Sequence, residues 1–303
     1  MKEYDIKMIA MDLDGTVLSD YSEFTPENVS ALREASKKGI YNVVATGRVY
    51  HSVPECVLTR PENPAADPNI HYLVCSNGAR IFDLQHPFAP GAAKALRTEA
   101  VSDGSSYPCI YENLIAPEAI DRLCGLFSTL PYLLEIFTLG RAYISQIAYN
   151  NLEEYGLGMH HNEYVRRTRT PVADILEFLQ NHRNTIENIN VNFSSQDDKR
   201  RLIGLLSNEQ SITVTSSFPT NIEIGGATTS KAEALSWLAR RLGFGIENVM
   251  SFGDSPNDSA MIEAAGLGIA MGNADEEVKA VSDFVTLPNY EDGVAYAIRR
   301  FAL

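Results

Sequence analysis

Short apolar runs that stop abruptly at polar turns, with helical segments between them, most constrain how this chain can fold. Ile6 to Met11 stops at Asp12, and Tyr41 to Ala45 stops at Thr46-Gly47-Arg48. His71 to Cys75 stops at Ser76-Asn77-Gly78, and Asn248 to Phe252 stops at Gly253-Asp254. Runs without polar alternation suit strands buried on both faces, although length alone leaves a buried helix open. The segments between them carry helix signals. Thr25-Pro26-Glu27-Asn28 places proline in a first turn. Val29, Leu32 and Ala35 follow at helical spacing, and Gly39 ends the segment. Ser230-Lys231-Ala232-Glu233 has the capping-box form and opens a helix running to Leu242. Ser255-Pro256-Asn257-Asp258 begins another. Gly268 to Met271 and Asp283 to Thr286 read as two more strands, and Glu291 to Phe301 as a closing helix. This alternation predicts an α/β fold, a parallel sheet with right-handed crossovers.

The middle of the chain follows a different pattern. Tyr132 to Phe137 and Ala142 to Ala148 read as two strands around a turn at Leu139-Gly140. Val172 to Asn181 and Asp198 to Leu206 read as helices, and Ile189 to Phe193, Ile212 to Ser216 and Asn221 to Ile224 as strands. The expectation is an α+β insert over 84–221 that divides an α/β domain made of 1–83 and 222–303. The length of 303 residues accommodates two domains.

The net charge of −14 disfavours nucleic acid and anionic membrane as partners, since an acidic surface repels both. Arg166, Arg167 and Arg169 form one small basic cluster, read as a solvated face. Four cysteines stand far apart with no metal-ligand spacing, and Cys75 reads as a buried core residue. Met1 to Lys7 lacks the apolar stretch of a signal peptide, and no run reaches the roughly 20 apolar residues of a membrane span. A cytoplasmic protein, monomeric or homodimeric, is the expectation.

Chemistry concentrates at the strand ends, where open parallel sheets place their ligands. Residues i and i+2 of an extended backbone project the same way, so Asp12 and Asp14 can face one site, with Gly15 allowing the turn. Two carboxylates that close repel unless a cation lies between them or one takes a proton. Thr46, Gly47 and Arg48 offer a hydroxyl, backbone N–H groups and a cation to a phosphate. Lys231 stands at a helix start, where a cation is unfavourable unless an anion joins it. Asp254, Asn257 and Asp258 cluster after another strand, and helix capping explains only one of them. The aromatic residues Tyr132, Phe137 and Tyr143 read as core rather than as a stacking platform.

Taken in chain order, Asp12-Leu13-Asp14-Gly15-Thr16, Thr46, Lys231 and Gly253-Asp254-Ser255-Pro256-Asn257-Asp258 resemble the four motifs of the haloacid dehalogenase superfamily of phosphohydrolases. Ser76-Asn77-Gly78-Ala79 is similar to the turn that precedes the cap in its Cof-like sugar-phosphatase branch. The resemblance implies a Rossmann-like core with a type IIB cap formed by the insert. It implies Mg²⁺-dependent hydrolysis of small phosphorylated metabolites such as sugar phosphates. Asp12 is then the nucleophile and Asp14 the acid and base. The metal lies on the carboxylates of Asp12 and Asp254 and the main-chain carbonyl of Asp14. Thr46 and Lys231 hold the phosphoryl group, with Gly47, Arg48 and Asn257 beside it, and Asp258 supports the metal or Lys231. A phosphomutase with the same core, and a phospho-accepting sensor, are the alternatives.

Overall fold

An eight-stranded sheet realises the strand–helix alternation. In the computed structural model, which describes residues 4–19, 23–58, 66–88, 104–129, 132–155 and 158–303, its strand order is Phe284–Val285, Leu267–Ala270, Val249–Gly253, Met8–Met11, Tyr41–Ala45, Ile70–Cys75, Arg80–Asp83 and Cys109–Glu112. The first six strands of that order run parallel, and the last two pair antiparallel. Met8–Met11 is completely buried at the centre, with Met11 opposite both Phe252 and Val44. That register brings the ends of three neighbouring strands to one rim, so Asp12, Thr46 and Asp254 emerge side by side.

The helix signals operate as local chemistry dictates. The Thr25 hydroxyl accepts from the Asn28 N–H at 3.1 Å and starts the helix Pro26–Lys37. The Ser230 hydroxyl accepts from the Glu233 N–H at 3.1 Å and starts Lys231–Leu242, which Gly243 ends in the left-handed region. Leu235, Leu238 and Ala239 of that helix, with Val294 and Ile298 of Gly293–Phe301, join the strand side chains in one large apolar core.

A second sheet has the order Arg169–Val172, Arg141–Ser145, Leu133–Thr138, Ile186–Asn192, Asn221–Gly226 and Ile212–Thr215, with only its first pair parallel. One face carries Ile136, Ile189, Val191 and Ile224 against Ile120 and Leu123 of the helix Pro117–Phe127 and Leu202 of Gln196–Leu206. The opposite face carries Glu135, Asn188, Asn190, Asn192, Asn221 and Glu223, all buried. An antiparallel sheet of this kind ordinarily turns its polar face to water. Here that face meets the loops of the larger sheet. A small apolar contact joins the two, Val49 against Phe137 and Ala142.

Several expectations shift. Cys109–Glu112 hydrogen-bonds into the larger sheet and Asn221–Gly226 into the smaller one, so by sheet membership the insert runs from about residue 113 to 226 rather than over 84–221. The first of these strands is short and only half-buried, with Cys109, Ile110 and Tyr111 packed against the edge of the larger core. The run to Ala148 splits, because the Ser145 hydroxyl accepts from the Ala148 N–H and begins the helix Gln146–Asn150. Val172 closes a strand, and Asp174 caps a separate helix, Ile175–Asn181. The helix Met159–Thr168 is an addition to the expected elements. Arg169 is not solvated: it is buried, with Nη2 at 2.7 Å and Nε at 2.9 Å from Glu135. Phe137 is core, as expected, and Tyr132 and Tyr143 pack on Phe193 and Phe178. Cys75 is fully buried. Among the described residues no helix is long and apolar enough to cross a membrane.

Candidate active site

The chain turns sharply after Met11, and Gly15 takes φ +78° to make the turn. A Cβ on Gly15 would collide with the Asp254 carboxylate, so glycine is what lets the two strand-end loops touch. Thr16 Oγ1 donates to Asp254 Oδ1 at 2.8 Å, and Ser255 Oγ donates to Oδ2 at 3.2 Å. We expect Gly15→Ala to lower kcat at least about tenfold, because it adds strain at a positive φ and displaces that carboxylate. Steady-state kinetics on the folded variant checks this.

Lys231 projects from the first turn of its helix into the same rim. Its side chain is fully buried, with Nζ at 2.6 Å from Asp12 Oδ1 and 2.7 Å from Asp258 Oδ1. The helix start is held close by Gly78, where any Cβ would strike the Ser230 carbonyl. Asp258 is committed on both sides. Its Oδ2 accepts from the N–H groups of Asp254 and Ser255 at 3.0 and 3.1 Å.

The electrostatics follow from three carboxylates sharing one ammonium. Burial drives the Asp12 carboxyl well above its ordinary range; Lys231 opposes this, and Asp258, Asp254 and Asp14 add to it. Burial and then Asp258 push Asp254 up to about 7, against Thr16 and Lys231. For Lys231, burial works against the charge, but Asp12 and Asp258 outweigh it and hold the ammonium above its usual range. The rim is short of positive charge. Oxygens of Asp12, Asp254 and Asp258 lie within 4.8 Å of one another. These three carboxylates are the oxygen donors the rim offers a cation, and an all-oxygen donor set fits Mg²⁺.

A pH dependence follows. A carboxylate that holds its proton more tightly folded than unfolded destabilises the fold as pH rises from the ordinary carboxylate range toward about 7. The melting temperature in chelator should therefore fall between pH 5 and pH 8. The gain on adding Mg²⁺ should be larger at pH 8, and thermal melts at both values check it.

Asp14 lies outside this cluster. Arg48 donates to it twice, Nε to Oδ2 at 2.8 Å and Nη2 to Oδ1 at 2.6 Å, and Nη1 reaches the Ser52 carbonyl at 3.0 Å. Both oxygens of the Asp14 carboxylate are thus occupied by Arg48. Arg48, expected beside the phosphate, pairs its guanidinium with Asp14. Thr46 is buried at its strand end, its hydroxyl accepting from the Arg48 N–H at 3.1 Å. Asn257, also expected at the phosphate, donates through Nδ2 to Asn77 Oδ1 at 3.0 Å and to Ser217 Oγ at 2.9 Å. Gly47 sits against these amides, its Cβ direction 3.2 Å from Asn77 Oδ1.

The residues that sequence reasoning passed over lie on the smaller sheet and on the helix Met159–Thr168. Glu223 accepts from Asn77 Nδ2 and from Ser217 Oγ, the latter at 2.9 Å, and burial raises its carboxyl. Glu187 accepts from Ser76 Oγ and the Gly140 N–H, both at 2.7 Å. Tyr164 meets the guanidinium groups of Arg48 and Arg169 at 5.3 and 4.9 Å from its ring centre. The alternation Asn188, Asn190, Asn192 was the available signal, a period-2 polar stripe within a strand.

The chain matches the family model of haloacid dehalogenase-like hydrolases over residues 9–107 and 100–298. The 5-amino-6-(5-phospho-D-ribitylamino)uracil phosphatase YcsE of Bacillus subtilis (strain 168) is 31% identical over 306 residues, covering 100% of this chain and 98% of the relative. Phosphatase YwpJ of the same organism is 30% identical over 317 residues, covering 97% and 99%. A solved haloacid dehalogenase-like hydrolase from B. subtilis superposes with a TM-score of 0.77 at 26% identity, covering 97% of this chain and 99% of that one. Similarity along the whole length, with the four motifs gathered at one rim, places this chain in the haloacid dehalogenase-like family, as a Cof-like phosphatase.

Proposed function

We propose that the chain hydrolyses small phosphate monoesters, sugar or related metabolite phosphates, through a phosphate ester on Asp12 and with the help of Mg²⁺. The observation that carries this reading is Lys231 Nζ at 2.6 Å from Asp12 Oδ1 across 219 positions of sequence. An ammonium placed on a buried carboxylate at a strand end is suited to receive a phosphoryl group between them.

Asp12 attacks phosphorus in line, and the bond from phosphorus to the departing alcohol breaks as Asp14, entering the step protonated with one oxygen released from Arg48, gives the alcohol oxygen that proton. Water then attacks the aspartyl-phosphate while Asp14 takes a proton back. The bond from phosphorus to Asp12 breaks, and inorganic phosphate leaves. Thr46 and Lys231 hold the phosphoryl oxygens as charge redistributes, and Asp258 keeps Lys231 in place. A bound Mg²⁺, held by Asp12, Asp254 and the Asp14 carbonyl, would supply positive charge between an anionic nucleophile and an anionic ester. Arg48 positions Asp14 with two hydrogen bonds. The insert acts as a cap that excludes water and presents specificity residues. The relative YcsE supports the hydroxylated substrate class, since its named substrate carries a phosphorylated ribityl group.

Incubation with p-nitrophenyl phosphate and Mg²⁺ should release free phosphate, and chelator should stop it. Absence of turnover would sink the reading, and phosphoryl transfer between two positions of a sugar without free phosphate would favour a mutase. Arg48→Lys, which cannot make the forked pair, should cost roughly 10- to 100-fold in kcat. The loss should be greater for alkyl than for nitrophenyl esters, whose leaving group needs little protonation.

A further inference from the structure

The inward face of the smaller sheet is polar, buried and incompletely satisfied. Glu135, Asn190 and Glu223 lie directly opposite one another across three strands, and directly opposed residues share a face. Asn188 stands opposite Phe137 on the same face, and Phe137 packs on Val49, next to the Thr46-Gly47-Arg48 turn. A hydrogen-bond chain crosses this face. Asn190 Nδ2 donates to Glu135 Oε2 at 3.3 Å, Asn221 Nδ2 to Asn190 Oδ1 at 2.9 Å, and Asn221 Nδ2 to Glu223 Oε1 at 3.3 Å. Glu223 then reaches Asn77 and, through it, Asn257.

Two acceptors on this seam stay empty. Asn188 Oδ1 and Asn257 Oδ1 are both buried and have no hydrogen-bond partner among the described residues. Asn188 is only 1% exposed. A buried acceptor left unmade is costly, so such a group on the face that meets the Thr46-Gly47-Arg48 turn points to a donor that arrives with the substrate. The charge on this face narrows the class further. Its carboxylates repel a second anion. Among the described residues the guanidinium groups at this seam are committed to carboxylates: Arg169 to Glu135, Arg48 to Asp14, and Arg80 to Glu112 and Glu187.

We propose that Asn188, with Asn190 and Glu135 beside it, reads the alcohol half of the substrate and selects a neutral, hydroxyl-bearing leaving group over one that carries a second phosphate or carboxylate. This rests on the phosphatase reading above and adds the residues and the sign of the selection.

The test compares kcat/KM for three probe classes: p-nitrophenyl phosphate, neutral pentitol and hexose monophosphates, and esters with a second anionic group such as a hexose bisphosphate or a phosphoglycerate. The wild type should prefer the best neutral ester over the best dianionic-substituted ester by at least about tenfold. In Asn188→Ala the ratio of neutral polyol ester to nitrophenyl ester should fall roughly 10- to 100-fold, as expected for losing a buried hydrogen bond to substrate. The ratio is internal to each protein preparation, so it is insensitive to partial unfolding, and the wild-type panel needs no variant. An unchanged ratio, or a wild type that favours the second anion, overturns the proposal while nitrophenyl hydrolysis leaves the phosphatase reading standing. Failure of the wild type to hydrolyse nitrophenyl phosphate overturns both.

Discussion

Asp12→Asn lowers phosphate release by about 10⁴-fold or more in the expected outcome, a loss typical of removing a nucleophile on which the rest of a site depends. The amide keeps the shape of the side chain and a hydrogen-bond contact to Lys231, but a carboxamide oxygen does not displace an alkoxide from phosphorus. Stability should move the other way. Burial already drives the Asp12 carboxyl toward its neutral form, so a neutral amide removes a desolvated charge. We expect the variant in chelator to melt no lower than the parent, and the rise in melting temperature on adding Mg²⁺ to shrink or vanish. Retained turnover would remove Asp12 from the chemistry.

Lys231→Met carries the second large effect, on folding as well as catalysis. The ammonium is fully buried between Asp12 and Asp258, and removing it leaves two carboxylates facing each other away from water. Breaking a buried pair costs about 3–5 kcal/mol because the charge left behind is uncompensated. Urea unfolding in chelator measures that loss, and turnover should fall with it. Adding Asp258→Asn to Lys231→Met should recover part of the stability and none of the activity, because the two residues share one interaction. A Lys231→Met protein as stable as the parent would show that the three charges do not form a unit.

The rim was legible because parallel strands give strong local signals. Each apolar run stops at or one residue before a polar rim residue, and Asp12, Thr46 and Asp254 emerge together once the strands align. The awkward position of Lys231, a cation at a helix start, also pointed to nearby anions, and those anions are Asp12 and Asp258. The pairing of Arg48 with Asp14 was not legible, because the two lie on different loops. A turn reading Thr-Gly-Arg says nothing about which carboxylate a long side chain will reach. The smaller sheet was harder for a different reason. The stripe Asn188, Asn190, Asn192 signals a strand with one polar side, and polar sides ordinarily face solvent. That this one is buried depends on a second domain covering it, which no local pattern encodes. Arg169 was read as solvated on the same logic, and Glu135, 34 positions away, supplies the charge that lets it be buried.

The seam between the two sheets has a mechanical consequence. Its contacts are chiefly amides, hydroxyls and acids, with Val49, Phe137 and Ala142 as a minor apolar exception. Pulling such surfaces apart trades one set of hydrogen bonds for another with water, at little net free energy. Parting along this seam would therefore expose wetted, non-adhesive surface rather than a greasy one on which copies would clump.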